Sequence, residues 1–325
     1  MGWEIVRSPK FRMRGTKPVG RTHGIALPAF FHNVQYHFME VHVYSDGLID
    51  CCGCVDAHMF RRTIEQGRVA SPPTGAVARV FNLGAATVGS CHWQRTTAEF
   101  LKQVEGTINT LNPSRTGPLD MNGDESEIPF ELRYKQPAYG KPYIALAADR
   151  EIDGDSMPVF VFTGSETYLS HWFVFADGSS RVGCTSTLSS VSEIAKKFDG
   201  GDLGTSVPNG TRIRVEGVGT FEAQQGSWGV KPTERVREAW DMLAILKGGR
   251  GAVQECMIRF KECQIAPSPE TRESLRQAYE SVPEHRRCYC GDMNSQDWPI
   301  RKLLYGSEQL SDGFGFGRHA PSSDY

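Results

Sequence analysis

Tyr44-Ser45-Asp46-Gly47 is answered by Phe175-Ala176-Asp177-Gly178, and on either side of these two stretches the chain is written twice. Gly53-Cys54 matches Gly183-Cys184, Pro73-Thr74-Gly75 matches Pro208-Asn209-Gly210, Leu83-Gly84 matches Val218-Gly219, and Trp93 matches Trp228. The offset is 130 or 131 through the first strands, 134 through the next helix and 135 from Pro73 onward. Length changes therefore fall between elements, where surface loops absorb them. The shared positions are mostly apolar, Gly or turn residues, so the duplication speaks for architecture before chemistry.

Each copy reads as the same succession of elements. Residues 29–31 and 40–44 have strand composition, Asp46-Gly47 is a hairpin signal, and residues 48–54 return as a third strand. Asp56 is a helix N-cap ahead of Phe60 and Ile64, with Gly67 closing the helix; in the second copy Ser190 and Glu193 form a capping box ahead of Ile194 and Phe198. Residues 77–83 read as a strand, and Thr96 with Glu99 opens a helix whose buried stripe is Leu101, Val104, Ile108 and Leu111. Val236, Ala239, Leu243 and Leu246 repeat that stripe. The expected fold is α+β: two tandem β-β-β-α-β-α repeats in a pseudo-twofold arrangement, followed by a small helical C-terminal region. Asp46, Gly47, Trp93, Asp177, Gly178 and Trp228 are its framework residues.

The boundaries follow from composition. A basic segment spans 1–26, the first copy 27–112, an acidic Pro/Gly-rich linker 113–156, the second copy 157–247 and a helical region 248–306; residues 307–325 have the composition of a disordered tail. Within the linker, 143–148 has strand character. In the helical region Val253, Cys256, Phe260 and Cys263 fall on one stripe, Ser268-Pro269 opens a second helix through Tyr279, and 298–305 reads as a third.

A net charge of -2 over 325 residues excludes a chain dominated by attraction to nucleic acid or membrane, and no apolar run approaches the roughly 18 residues of a membrane span. Nine cysteines without a secretion signal suggest reduced thiols and a cytoplasmic location. Phosphate-binding Gly-Lys-Ser/Thr loops, dinucleotide-binding glycine fingerprints, His-Glu-x-x-His and Gly-x-Ser-x-Gly are all missing.

Four constellations carry candidate chemistry. Cys51, Cys52 and Cys54 with His58, Cys91 and His92 offer zinc donors, but the second copy has Arg181 and Val182 where the first has Cys51 and Cys52, so the fold itself does not require a metal there. Cys256, Cys263, His285, Cys288 and Cys290 offer a second zinc set or a Cys-His hydrolase pair; Cys256 and Cys263 already have core spacing on a helix. Asp120, Asn122, Asp124 and Glu131 echo a calcium loop in which Glu125 replaces the turn Gly and Pro129 interrupts the second half. Arg7, Lys10, Arg12, Arg14, Lys17 and Arg21, with Trp3 and Phe11 interleaved, suit phosphates and stacked bases, the alternative of a nucleic-acid-binding protein.

Val43-Tyr44-Ser45-Asp46-Gly47-Leu48-Ile49-Asp50-Cys51-Cys52-Gly53, with Val282-Pro283-Glu284-His285 and Gly291-Asp292-Met293 running to Asp297-Trp298-Pro299, resembles a family of uncharacterised bacterial proteins that carries Trp at the place of Cys52. The resemblance implies a bacterial origin and transfers no activity. The leading expectation is a non-enzymatic binding or assembly protein with a protein partner, a component of a bacterial multi-protein system such as phage defence or toxin immunity, with no resident cofactor. What the copies do not share is where function is expected.

Overall fold

Along Gln35–Tyr44, one set of alternating side chains (Val41, Val43) is fully buried against helices, and the other (Phe38, Glu40, His42, Tyr44) faces the opposite way. A two-residue period with both faces covered demands layers on either side of the sheet. The structure, a computed structural model, describes residues 3–7, 22–45, 47–51, 54–111, 113, 143–144, 152, 154–183, 187–291 and 295–306. These form two compact units, 1–249 and 250–325.

In the first unit the elements run β1 (Trp3–Arg7), β2 (Thr22–Asn33), β3 (Gln35–Tyr44), β4 (Ile49–Asp50), β5 (Cys54–Val55), α1 (Ala57–Glu65), β6 (Val77–Val80), β7 (Gly84–Trp93) and α2 (Thr97–Leu111). After β8 (Tyr143–Ile144) the succession returns as β9 (Gly154–Thr163), β10 (Glu166–Phe175), β11 (Ser179–Val182), β12 (Ser189–Ser190), α3 (Val191–Asp199), β13 (Leu203–Gly204), β14 (Thr211–Val215), β15 (Gly219–Trp228) and α4 (Pro232–Leu246). The copies agree in register. Tyr36 to Phe38 pair in parallel with Ala78 to Val80, and their equivalents Thr167 to Leu169 pair in parallel with Ile213 to Val215. Even the single bridge between Phe31 and Val69 recurs as Val161 with Leu203.

Each copy holds one long strand more than the β-β-β-α-β-α pattern: β7 and its equivalent β15. These two strands pair antiparallel with each other and fuse the copies into one sheet. Their ladder sets Gly84 opposite Trp228 and Trp93 opposite Gly219, and it pairs Val88 with Ala223, which are themselves equivalent positions. A pseudo-twofold axis therefore passes between Val88 and Ala223. The contacts beside it repeat reciprocally: Gln94 N donates to the Val218 carbonyl at 2.9 Å, and Gly229 N donates to the Leu83 carbonyl at 3.1 Å.

The sheet wraps around a shared inner core that draws Phe30, Phe38, Val80 and Val88 from the first copy and Phe160, Leu169, Val215 and Phe221 from the second. Outside it, α1 and α2 cover the first copy through Phe60, Ile64, Phe100, Val104 and Ile108, and α3 and α4 cover the second through Ile194, Phe198, Ala239, Met242 and Leu243. The caps match the sequence reading: Asp56 accepts from Met59 N, and Ser190 with Glu193 completes a capping box. The N-terminal segment is partly built into the sheet, since β1 pairs with β2 along Trp3 to Arg7 and β8 pairs with β1.

In the second unit, α5 (Ala252–Ile265) and α6 (Pro269–Ser281) form a helical hairpin, followed by a 3-10 turn at Glu284–Tyr289 and α7 (Trp298–Tyr305). Its core joins Cys256, Cys263, Leu275, Tyr279, Val282, Cys290, Ile300 and Leu304, and Tyr279 Oη donates to Asp297 at 2.5 Å.

Candidate functional site

Adding 131 to each inward position of β3 and β4 lands on its equivalent in β10 and β11, so Glu40 corresponds to His171, His42 to Phe173, Tyr44 to Phe175 and Asp50 to Arg181. The ladders fix the correspondence, with His42 paired to Asp50 and Phe173 to Arg181; this corrects the sequence alignment by one residue, since Arg181 answers Asp50 and Val182 answers Cys51. Glu40 and His171 meet inside the wrapped sheet, Oε1 to Nε2 at 2.7 Å, and the other carboxylate oxygen faces His42 Nε2 at 3.2 Å. Phe38 stacks on the His171 ring at 5.7 Å between centroids, and Arg181 lies 5.1 Å over Phe173. At two of these positions the first copy has an acid where the second has a base, Glu40 against His171 and Asp50 against Arg181, while His42 is a base of the first copy whose equivalent is Phe173.

Burial alone would raise the Glu40 carboxyl, but His171 and then His42 overcome that penalty and hold it well below the usual carboxylate range. Its side chain keeps 18% of its surface exposed, so the charge is enclosed by protein yet not sealed. A carboxylate between two imidazoles has the parts of a proton relay. Here both imidazoles point at one carboxylate on the symmetry axis, which is the arrangement of a lock between copies. His37, one residue out of phase in β3, faces away from Glu40, and His32 stacks on Tyr36 at 4.5 Å.

Among the described residues, those of the first cysteine set are dispersed, whereas Cys256 and Cys290 meet through a side-chain hydrogen bond in the helical core that also holds Cys263. Cys51 packs in the core beneath α1 and α2, His58 is exposed in the first turn of α1, Cys91 packs against the inner core, and His92 is exposed. Among the described residues no group of three or more His, Cys, Asp or Glu is arranged to hold a metal ion. The side chains of Cys52, Cys54 and Arg7 lie outside the described residues, as do Lys10, Arg12, Arg14, Lys17, Arg21, Asp46 and the acidic stretch from Asp120 to Glu131. In the helical unit Cys288 Sγ donates to the His285 carbonyl at 3.7 Å, and burial pushes the Cys288 thiol pKa up, away from nucleophile character. Gly47 and Gly178 adopt positive φ in equivalent turns, and Asp177 caps its turn by accepting from Ser179 N at 2.9 Å. Trp93 Nε1 donates to the Pro72 carbonyl at 2.9 Å.

Two further arginines, buried Arg235 in the second copy and half-buried Arg95 in the first, have no charged equivalent in the other copy. Arg235 is fully buried, pairs with Glu238 at 2.5 Å and donates to the Asn82 carbonyl, tying α4 to the β6–β7 turn of the other copy; its equivalent is Phe100. Arg95 donates to Gln103 Oε1 at 2.8 Å and to the Pro28 carbonyl and lies 4.0 Å over Phe100; its equivalent is Val230.

The surface shows the same asymmetry. Val34 is 92% exposed, Phe81 62%, Trp240 46% and Ile245 46%, and their equivalents are Gly164, Glu216, Glu105 and Thr110. On the first copy Glu105 binds Arg61 at 2.6 Å across α1 and α2; on the second the same two places hold Trp240 and Ala195. Val34 also adopts φ 63°, a left-handed conformation that costs a β-branched residue about 1–2 kcal/mol and that Gly164 adopts freely.

The geometry defines a duplicated α+β frame with an appended helical unit. The chain belongs to a family described as a domain of unknown function, DUF7638, whose model matches residues 16–115 and 144–250, and a second domain of unknown function, DUF7639, matches 251–319. No curated protein and no solved structure matches the chain.

Proposed function

We propose that the protein is a non-enzymatic binding and assembly protein whose duplicated sheet is the frame and whose partner contacts lie on copy-specific surface. The observation that carries this reading is the set of exposed apolar side chains Val34, Phe81, Trp240 and Ile245, each standing where the other copy has Gly or a polar residue. Because the equivalent copy folds without them, packing does not explain them, and large exposed apolar side chains are what partner surfaces use. The inward charged groups support it, since Glu40, Arg235 and Glu238 are engaged with one another or with the frame. A place in a bacterial multi-protein system, with a protein as the partner, is the setting this reading fits.

The test is reconstitution. A partner that co-purifies with the native chain is identified, purified and titrated against the wild type, Trp240→Glu and, as control, Glu105→Ala. Loss of binding only in Trp240→Glu supports the reading; a catalytic turnover by the purified chain, or equal affinity of all three, contradicts it.

A further inference from the structure

Arg95 lines a small cleft of about 20 Å³ together with Ser71, Thr96, Thr97 and the rings of Phe30 and Phe100. Its guanidinium is mostly enclosed, and its polar contacts are both neutral: the Gln103 side-chain oxygen and the Pro28 carbonyl. Among the described residues no carboxylate is paired with it. Burial alone accounts for the lowering of its pKa to about 10. Enclosed arginines are ordinarily matched to carboxylates or phosphates, because an unmatched buried charge is costly. This chain does so at Arg235, which has Glu238.

The frame does not need the charge, because the second copy packs Val230 at the same position. Neutral oxygens orient two guanidinium nitrogens and the Phe100 ring lies 4.0 Å beneath the cation, but none of these contacts supplies an opposite charge. The cleft opens beside the first turn of α2, where Thr96 Oγ1 already accepts from Glu99 N and the Glu99 carboxylate accepts from Thr96 N, so the helix end carries its own acidic cap. The space, about 20 Å³, admits only the tip of an inserted group: the two oxygens of a planar carboxylate match a guanidinium edge there, whereas a tetrahedral phosphoryl group is too bulky.

We infer that the Arg95 cleft is a binding site for a carboxylate, presented by an acidic side chain of the partner polypeptide. The identity of the occupant as a partner side chain rests on the binding-protein reading; the carboxylate chemistry does not.

The experiment follows the Arg95 Nε–Hε resonance of the full chain by NMR. It is titrated at constant ionic strength with acetyl-Gly-Glu-Gly-amide, acetyl-Gly-Gln-Gly-amide and inorganic phosphate. The expected result is a saturable shift with the Glu peptide, at least about tenfold weaker binding of the Gln peptide and of phosphate, and loss of the Glu-peptide response, read on neighbouring Thr97 and Ser71 amides, in Arg95→Gln. Arg95→Lys, which keeps the charge without the fork, retains the fold and binds more weakly, so a folding defect in Arg95→Gln does not end the test. Equal responses to Glu and Gln peptides, or a preference for phosphate, overturn the inference. Peptide binding at Arg95 with no partner recovered by reconstitution would separate the two claims, sustaining the site and removing the partner.

Discussion

Glu40 and His171 occupy equivalent positions in the two copies and meet on the pseudo-twofold axis, Oε1 to Nε2 at 2.7 Å. On the axis of a true homodimer a residue meets itself, as Glu with Glu or His with His. The duplication has let the two copies diverge into a matched pair. Replacing one member with the other's residue restores the homodimeric situation, so His171→Glu is expected to lose about 3 kcal/mol or more, the scale of an unpaired buried charge. The reciprocal exchange, Glu40→His with His171→Glu, is expected to recover most of that loss. Urea denaturation at neutral pH reads both; a double variant no better than the single would remove the axis pair as a lock.

The same carboxylate sets an acid limb. Its pKa in the folded chain lies below the usual 4.5, so the stabilisation is fully present above that value and is lost as pH falls toward the folded pKa. The stability difference between wild type and Glu40→Gln is expected to be largest at neutral pH and to shrink steadily below about pH 4.5. A difference that stays constant to pH 2.5 would show that ionisation of Glu40 is not involved.

Gly84 and Gly219 make the frame's symmetry testable. Each has positive φ, 152° and 146°, and a methyl at either would lie 2.8 Å from the Cα of the opposing Trp228 or Trp93 and against the carbonyl of Ser227 or His92. The obstruction is backbone, which cannot rotate away. Gly84→Ala and Gly219→Ala are expected to destabilise by similar amounts, about 3 kcal/mol or more each. Thermal melts that spare one and unfold the other would break the equivalence of the two halves of the β7–β15 junction.

The helical unit's thiols are expected to behave as core. Cys256, Cys263 and Cys290 are buried, with Cys256 and Cys290 fully so. Site-resolved alkylation should leave these three unmodified in the native protein and modify them only on unfolding, with the same pattern before and after chelator treatment. Protection that disappears with chelator would point to a metal held by these cysteines.

Helix positions were legible because their signals are local: Asp56, Ser190 with Glu193, and Ser268-Pro269 each act within one turn. β7 was not legible. Gly84-Ala85-Ala86-Thr87-Val88-Gly89-Ser90 is made mostly of small residues, lacking the aromatic and β-branched run that marks a strand, and its pairing partner is the equivalent strand far along the chain. Trp93 and Trp228 stood out as framework, yet the glycines they cover became intelligible only across that junction. Glu40 and His171 are separated by the repeat offset itself; comparing charge at equivalent inward positions was the available signal. Arg95 was hidden because its meaning depends on what is not paired with it.

Frame and function are separable position by position in this chain. Val34→Gly, Phe81→Glu and Trp240→Glu, combined in one chain, give the first and second copies the residue types their equivalents already carry. Relieving the Val34 backbone and removing exposed apolar surface should leave the melting temperature unchanged or higher. Affinity for the co-purified partner, measured by calorimetry, should fall by about a hundredfold or more, the scale of losing an aromatic hot spot. Unaltered affinity in a folded triple variant, or collapse of the fold without these side chains, would contradict the claim.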